Sequence, residues 1–442
     1  MGSELLYNVG RGYMKILVFG YGLHGGGFEC AMHYLSHGDE VVITDIRSRE
    51  SLGQSIDFLE KKGAVIHCGG HLTSDFEWAD IVIKSPTIKL DNEFLNYAKR
   101  VENSLTILAA RPEAKDIKVI CVTGARDKST SASAICHALN ALGCNAHNMG
   151  TSAFTEIKRL DSGDVPEYLI IEMSTWLARD SYHFLKGQIP RINTSLITSI
   201  FDPDDAPDPI TRTGEFNRDA NNIILPAEVK AAIEKAAHKK AKNISSIESA
   251  SRSMSKALPD KMRPAFAVLR KLGYSSSMAN KALKGFKGIP NRNELVLRTN
   301  NAMFINDSSS VMPAAVGFTM DNFENLPVHI ICGGSDTGLD PSPMLNALKG
   351  AASVELLDGS FTRKTLIPKL VENGIDYFGP FKKMEEAVKT ASSQLDDKSN
   401  MLQVVLLSPG AAAYEFYGNE HVRGDAFKQS VNQLVRQDNS SI

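Results

Sequence analysis

Lys128, Ser129 and Thr130 stand together in "VTGARDKST", residues 122–130, after the β-branched run "IKVICV" and before the small-residue pattern "SASAICHALNALG". A strand that turns into a helix through such a stretch offers backbone N–H groups and a lysine to a phosphate. Lys128 suits the β/γ-phosphates of a nucleotide, and Ser129 or Thr130 suits Mg²⁺. Gly124 opens the loop, but Asp127 occupies the place of its usual second glycine. That carboxylate faces a polyanion, at a cost for two unit charges ~4 Å apart of about 1 kcal/mol in water and about 4 at an effective dielectric of 20. It also gives up glycine's freedom at positive φ, and Arg126 offsets part of the charge.

"YLIIEMSTW" ends a second buried strand at Glu172. A carboxylate there either holds Mg²⁺ opposite the loop or faces solvent. "ILVFGYGLHGGG" spaces Gly20, Gly22 and Gly25 as G-x-G-x-x-G behind the first strand, and the next strand ends in "ITDIR", with Asp45 placed for a ribose or base. The same glycines would also serve a turn that only packs helix on strand. Asn306, Asp307 and Ser308 follow "MFI", a second glycine turn follows "VHII", and Ser408 ends "VVLL" before Asn419 and Arg423.

The elements that must position these residues are legible as alternation. Strand-like runs ("KILVFG", "EVVITD", "AVIHCG", "DIVIKS", "KVICVTG", "YLIIEM", "INTSLITSI", "AMFIND", "VHIICGG", "ASVELLD", "QVVLLSP") alternate with helical patterns, which predicts an α/β protein of parallel sheets covered by helices. One stretch breaks the rhythm. Residues 226–257, rich in Ala, Lys and Ser, show no strand pattern and read as one or two exposed helices with "NISSIESAS" as a loop. The lysines there read as a solvated face.

A chain of 442 residues implies several domains. Its net charge of −2 argues against a nucleic-acid or anionic-membrane partner held by bulk electrostatics, and no apolar run reaches the ~18 residues of a membrane span. "MGSELLYNVGRGY" has no signal-peptide core, and Met14 is an alternative start. None of the six cysteines forms a C-x-x-C pair, so a reducing, cytoplasmic setting without a zinc site is expected.

Together these motifs resemble the Mur ligases, most closely their D-glutamate-adding branch, over nearly all of residues 14–442. The phosphate loop is similar to T-G-x-x-G-K-[ST], and "NMG" at 148–150 to N-I-G. "IEMSTW" is similar to E-L-S-S-[FW], and "GIPNRNELV" to G-[LI]-P-H-R-x-E. "FINDSSSVMPAA", "GGSDTGLDPSP" and "LLSPGAAAYEFYGNEHVRGDAF" follow in family order. The resemblance implies three α/β domains: an N-terminal Rossmann-like UDP-substrate domain at 14–110, a shortened central P-loop-type ATPase domain at 111–290, and a C-terminal Rossmann-like amino-acid-binding domain at 291–442. It implies ATP and Mg²⁺ as cofactors, and a UDP-sugar-linked substrate and D-glutamate as partners. It also implies a reaction through an acyl phosphate, a monomeric state, and neither nucleic acid nor membrane as partner.

Residue by residue, the resemblance gives Gly124, Lys128, Ser129 and Thr130 to the phosphate loop, with Lys128 and Glu172 as catalytic residues and Ser129 and Glu172 on the metal. Arg292 and Asp307 match nucleotide contacts at the hinge. Gly22, Asp45, Asn148, Ser174 and Ser408 match substrate contacts, Ser408 that of the D-glutamate carboxylate.

The departures cluster at the chemistry. Asp205 stands where the family has a second-metal histidine, and no His occurs between His183 and His238. The lysine that the family carbamylates has no counterpart between Lys186 and Lys230. "LPDKMRPAFAVL" lacks the His and both Asn of G-x-H-N-x-x-N. Thr337 and Ser309 replace family lysines, and Tyr414 replaces a phenylalanine. Three readings follow: a working, divergent ligase of this type; a catalytically impaired pseudo-ligase that keeps the fold for binding or regulation; and a ligase with an altered substrate.

Overall fold

The computed structural model describes residues 13–22, 26–52, 55–124, 127–150, 152–184, 192–198, 220–228, 230–231, 244–336, 338–396, 398–399 and 401–439. The chain divides into two compact units, 1–287 and 288–442. The first carries two sheets and the second carries one.

The first sheet contains β1 (Lys15–Phe19), β2 (Glu40–Asp45), β3 (Val65–Cys68), β4 (Ile81–Lys84) and β5 (Val101–Glu102), all parallel, in the order β3-β2-β1-β4-β5. β1 and β4 are apolar runs buried along nearly their whole length, as strands covered on both faces must be. Helix α1 (Gly26–Ser36) crosses from β1 to β2. Strand order reverses at β1/β4, where open α/β sheets form a crevice beyond their carboxyl ends. The expected glycine turn lies there: Gly20 and Gly22 have φ of 83° and 77°. Gly27 lets α1 pack close on the turn, because a Cβ there would sit 2.3 Å from the Tyr21 carbonyl oxygen. Gly25 lies outside the described residues.

The second sheet contains β6 (Lys118–Thr123), β7 (Ala146–Asn148), β8 (Tyr168–Glu172), β9 (Ile192–Ile197), β10 (Asn222–Leu225) and β11 (Ile244–Ser246), in the parallel order β11-β10-β9-β6-β8-β7. Helices α2 (Lys128–Ala141), α3 (Ala153–Asp161), α4 (Thr175–Phe184), α5 (Arg263–Lys271) and α6 (Ser276–Lys284) belong to the same unit. One expectation needs correction. Within 226–257, Ile244–Ser246 is a strand paired with β10, and Ile247–Ala250 is a helical turn capped by the Ser246 hydroxyl. Three residues are too few to show a hydrophobic period, and serine is a weak strand former, so pairing to an existing edge decides the conformation. Residues 232–243 lie outside the described residues.

The two sheets share one apolar cluster. Val18, Ile43, Ile107 and Leu108 of the first sheet and its helices join Val119, Phe154, Ile157 and Ile171 of the second. Two buried polar ties also cross the seam. The Lys84 ammonium at the end of β4 pairs with the Asp180 carboxylate of α4, both fully buried. The Asn103 amide donates to the Ser181 hydroxyl at 3.0 Å. Burial pulls the Lys84 amine below the usual lysine range, and Asp180 partly offsets this.

The second unit is a six-stranded sheet of β12 (Glu294–Arg298), β13 (Ala302–Asn306), β14 (Val328–Cys332), β15 (Ser353–Leu357), β16 (Phe378–Phe381) and β17 (Gln403–Leu407). Its order is β12-β13-β17-β14-β15-β16, with β12 alone antiparallel. The last helix, α7 (Glu420–Asn439), is fastened by Arg423, whose buried guanidinium donates to the Ser308 hydroxyl and to the carbonyls of Ser308, Ala411 and Ala412. Among the described residues, no helix is long and apolar enough to cross a membrane.

Glu355, fully buried on β15, accepts a 2.7 Å bond from Ser353, which also meets His329. Its other carboxylate oxygen has no partner among the described residues. Burial pushes its pKa up to about 7. The folded state therefore favours the protonated acid. Its stabilising contribution is complete below the ordinary glutamate range and falls away as pH rises toward 7. Glu355→Gln is expected to stabilise the protein by about 2–3 kcal/mol at pH 8 and by almost nothing at pH 4. Paired urea titrations would measure this, and an equal effect at both pH values would refute the burial argument.

Candidate functional site

β6 and β8 are neighbours in the second sheet, so their C-terminal ends bring the phosphate-type loop beside Glu172. The Ser129 hydroxyl donates to a Glu172 carboxylate oxygen at 2.6 Å. Lys128 opens α2, and its ammonium donates to the Gly124 carbonyl at 2.6 Å, folding back over the loop. Thr130 is half-buried on the first turn of α2. The Thr123 hydroxyl, at the end of β6, is buried without a partner among the described residues. A hydroxyl and a carboxylate in contact at a helix N-terminus are hard oxygen donors, and this donor set fits one Mg²⁺.

Asp127 adopts φ 61°, ψ 10°, the left-handed conformation, and its exposed side chain makes no capping bond. Position 127 thus keeps the backbone of the missing glycine while carrying an exposed carboxylate. Asp127→Gly is expected to tighten binding of a non-hydrolysable ATP analogue by roughly fivefold or more, since about 1 kcal/mol of repulsion disappears even with full water screening. Calorimetric titration reads this directly, and unchanged or weaker binding would contradict it.

Ser174, two residues after Glu172, accepts the Leu177 N–H and starts α4. The Asn148 amide nitrogen lies 3.3 Å from the Ser133 hydroxyl, and its oxygen accepts from the Gly150 N–H. Between the carboxyl ends of the two sheets runs a cleft of about 270 Å³. Gly20, Gly22, Lys84, Ser85, Thr87, Glu172 and Ser174 are among its lining residues. It joins the first sheet's glycine turn to the Ser129–Glu172 pair. Lys84 and the Ser85-Pro86-Thr87 turn escaped the sequence reading. The available signal was a lysine ending the apolar run "DIVIK" directly before Ser-Pro.

Asp45 is engaged within its own turn. It accepts the Tyr21 N–H at 2.8 Å and pairs with Arg47 at 2.8 Å. Burial alone would raise its carboxyl, but Arg47 and the backbone donors of Arg47 and Tyr21 hold it below the usual range. It fixes the shape of the Gly20–Gly22 loop.

In the second unit, Asp307 is buried and accepts bonds from the Asn293 N–H and the Ser310, Thr319 and Ser408 hydroxyls. Ser408 is itself fully buried. These two residues hold each other and organise the turn that carries Arg292, whose side chain is exposed. Asp204, Asp205 and Thr337 lie outside the described residues.

No family model matches the chain. A UDP-N-acetylmuramoylalanine–D-glutamate ligase of Borreliella afzelii is 29% identical over 95% of this chain and 98% of that protein. One of Treponema pallidum is 23% identical over 94% and 97%. The chain is a homologue of the Mur ligases. Among solved structures, the UDP-N-acetylmuramate–alanine ligase MurC of Thermotoga maritima aligns over 97% of this chain and all of its own, with a TM-score of 0.51 and 18% identity. The MurF ligase of Thermotoga maritima, solved with ADP, aligns over 89% of this chain and 95% of its own at a TM-score of 0.50 and 14% identity. The Mur ligase fold, with its parallel sheets and covering helices, is therefore the fold of this chain, as the motif order predicts.

Proposed function

We propose that the protein is an ATP-dependent amide ligase of the MurD type, which joins D-glutamate to UDP-N-acetylmuramoyl-L-alanine. The observation that carries this reading is the Ser129–Glu172 contact, because Glu172 lines a cleft that the first sheet's glycine turn also lines. It supports phosphate chemistry beside a cleft wide enough to receive a UDP-linked carboxylate. Ser129 and Glu172 would hold Mg²⁺, which supplies charge compensation for the phosphates. Lys128 and the N–H groups opening α2 bind and orient the phosphate chain. Gly20 and Gly22 let the UDP portion approach the backbone of the first unit.

A second reading rests on Asp127 and on the missing second-metal residues: a site that binds substrates but turns over slowly or not at all. Calorimetric titration with Mg²⁺ and a non-hydrolysable ATP analogue, with Lys128→Ala as control, comes first. Phosphate release with D-glutamate and the UDP-linked acceptor follows. Analogue binding that Lys128→Ala abolishes, together with D-glutamate-dependent phosphate release, is the expected result. Binding without release favours the second reading, and no binding at about millimolar analogue sinks the ATP-dependent one.

A further inference from the structure

We propose that His33, His37 and Asp161 form a binding site for a divalent transition-metal ion of the imidazole-preferring Zn²⁺/Ni²⁺ class, which clamps the end of α1 to the end of α3. One ligand atom from each residue lies within 4.8 Å of those of the other two. His33 sits in the last turn of α1 and His37 directly beyond it. A spacing of four places both rings on one face, and their centroids are 4.5 Å apart. Asp161, the last residue of α3, completes the group.

The surroundings prepare the ligands. His37 Nδ1 lies 2.7 Å from the His33 carbonyl oxygen. A carbonyl only accepts, so Nδ1 is the donor, and in the neutral ring Nε2 is then the nitrogen with the lone pair. Proteins commonly orient a metal-binding imidazole by such a backbone contact on its other nitrogen. One Asp161 carboxylate oxygen pairs with Arg111 at 2.8 Å, which steadies the group and leaves the second oxygen for an ion. Two imidazoles and one carboxylate suit Zn²⁺ or Ni²⁺, whereas Mg²⁺ and Ca²⁺ prefer all-oxygen shells. Bonds of ~2.0–2.1 Å put tetrahedral ligand atoms about 3.4 Å apart, so a modest turn of the exposed His37 ring closes the site. The His33 ring also packs on Phe154, a wall of the cleft, with centroids 5.4 Å apart. An ion there braces that wall from behind.

The test titrates Ni²⁺ into untagged, chelator-stripped full-length protein by calorimetry and follows thermal unfolding in parallel. The expected result is one site, an affinity at least about tenfold weaker in His37→Ala and in Asp161→Asn, and a metal-dependent rise in Tm confined to the unaltered protein. His37 and Asp161 are both exposed, so neither change is expected to unfold the chain, and circular dichroism verifies this. Absence of binding at about millimolar Ni²⁺ overturns the proposal. So does equal binding by the variants, which would move the ion to other donors such as the half-buried Cys68, Cys136 or Cys144.

Discussion

Lys84→Met is expected to cost the protein about 3 kcal/mol, the lower end of the range for breaking a buried ion pair. Asp180 would keep Arg179, which donates to its other oxygen at 2.8 Å, but would lose the ammonium that faces it across the seam. In a unit of this size the loss corresponds to a Tm lower by roughly 6–12 °C. The double replacement Lys84→Met, Asp180→Leu should recover most of it, because well-packed apolar groups of similar volume often replace a buried pair without penalty. Differential scanning calorimetry of both variants decides the matter. A single variant as stable as the parent would mean the pair contributes nothing, and a double variant no better than the single would mean the cost is lost packing rather than a stranded charge. Turnover should fall as well, because Lys84 leads into the Ser85–Thr87 wall of the cleft while Asp180 lies on the helix that follows Glu172.

Glu172→Ala is expected to lower ATP-dependent turnover by about 10²–10³-fold, equivalent to about 2.7–4 kcal/mol of transition-state stabilisation. The Mg²⁺ concentration for half-maximal activity should rise at the same time. Glu172 touches Ser129 and lies at a strand end, half-buried in the cleft, so its removal opens no cavity in the core. A stability change below about 1 kcal/mol should therefore accompany the loss of activity. Phosphate release measured across Mg²⁺ concentrations separates the alternatives. Turnover within threefold of the parent would reduce Glu172 to a local partner of Ser129 and remove the metal assignment.

The long buried strands were legible because parallel strands covered on both faces must be continuous apolar runs, as in "KILVFG" and "QVVLLSP". The edge strands β12 and β16 were not, although the edge strand β3 was read in "AVIHCG". β12 is half-buried to exposed, and β16, largely exposed, is "FGPF", with a glycine and a proline inside it. Edge positions tolerate such residues, so no hydrophobic period survives to be read. The Ser129–Glu172 meeting was foreseeable because each residue ends a strand-like run before a helix, and parallel order sets such ends side by side. Lys84–Asp180 was not, since 96 positions separate the partners and nothing local to either marks the other. The roles of Asp307 and Ser408 look different in three dimensions for a similar reason. Motif matching reports identity, whereas burial shows that their polar atoms are spent on one another.

The apolar cluster common to the first two sheets has a consequence for how the protein can be taken apart. A boundary drawn near residue 110 follows the motifs, yet it would cut through a single hydrophobic interior and strip Ile107 and Leu108 of their partners. A chimera that takes its first sheet from a relative must import the matching surface of α3 and α4 as well, or it will present a greasy face to solvent and aggregate. Both sheets belong to one compact unit, residues 1–287.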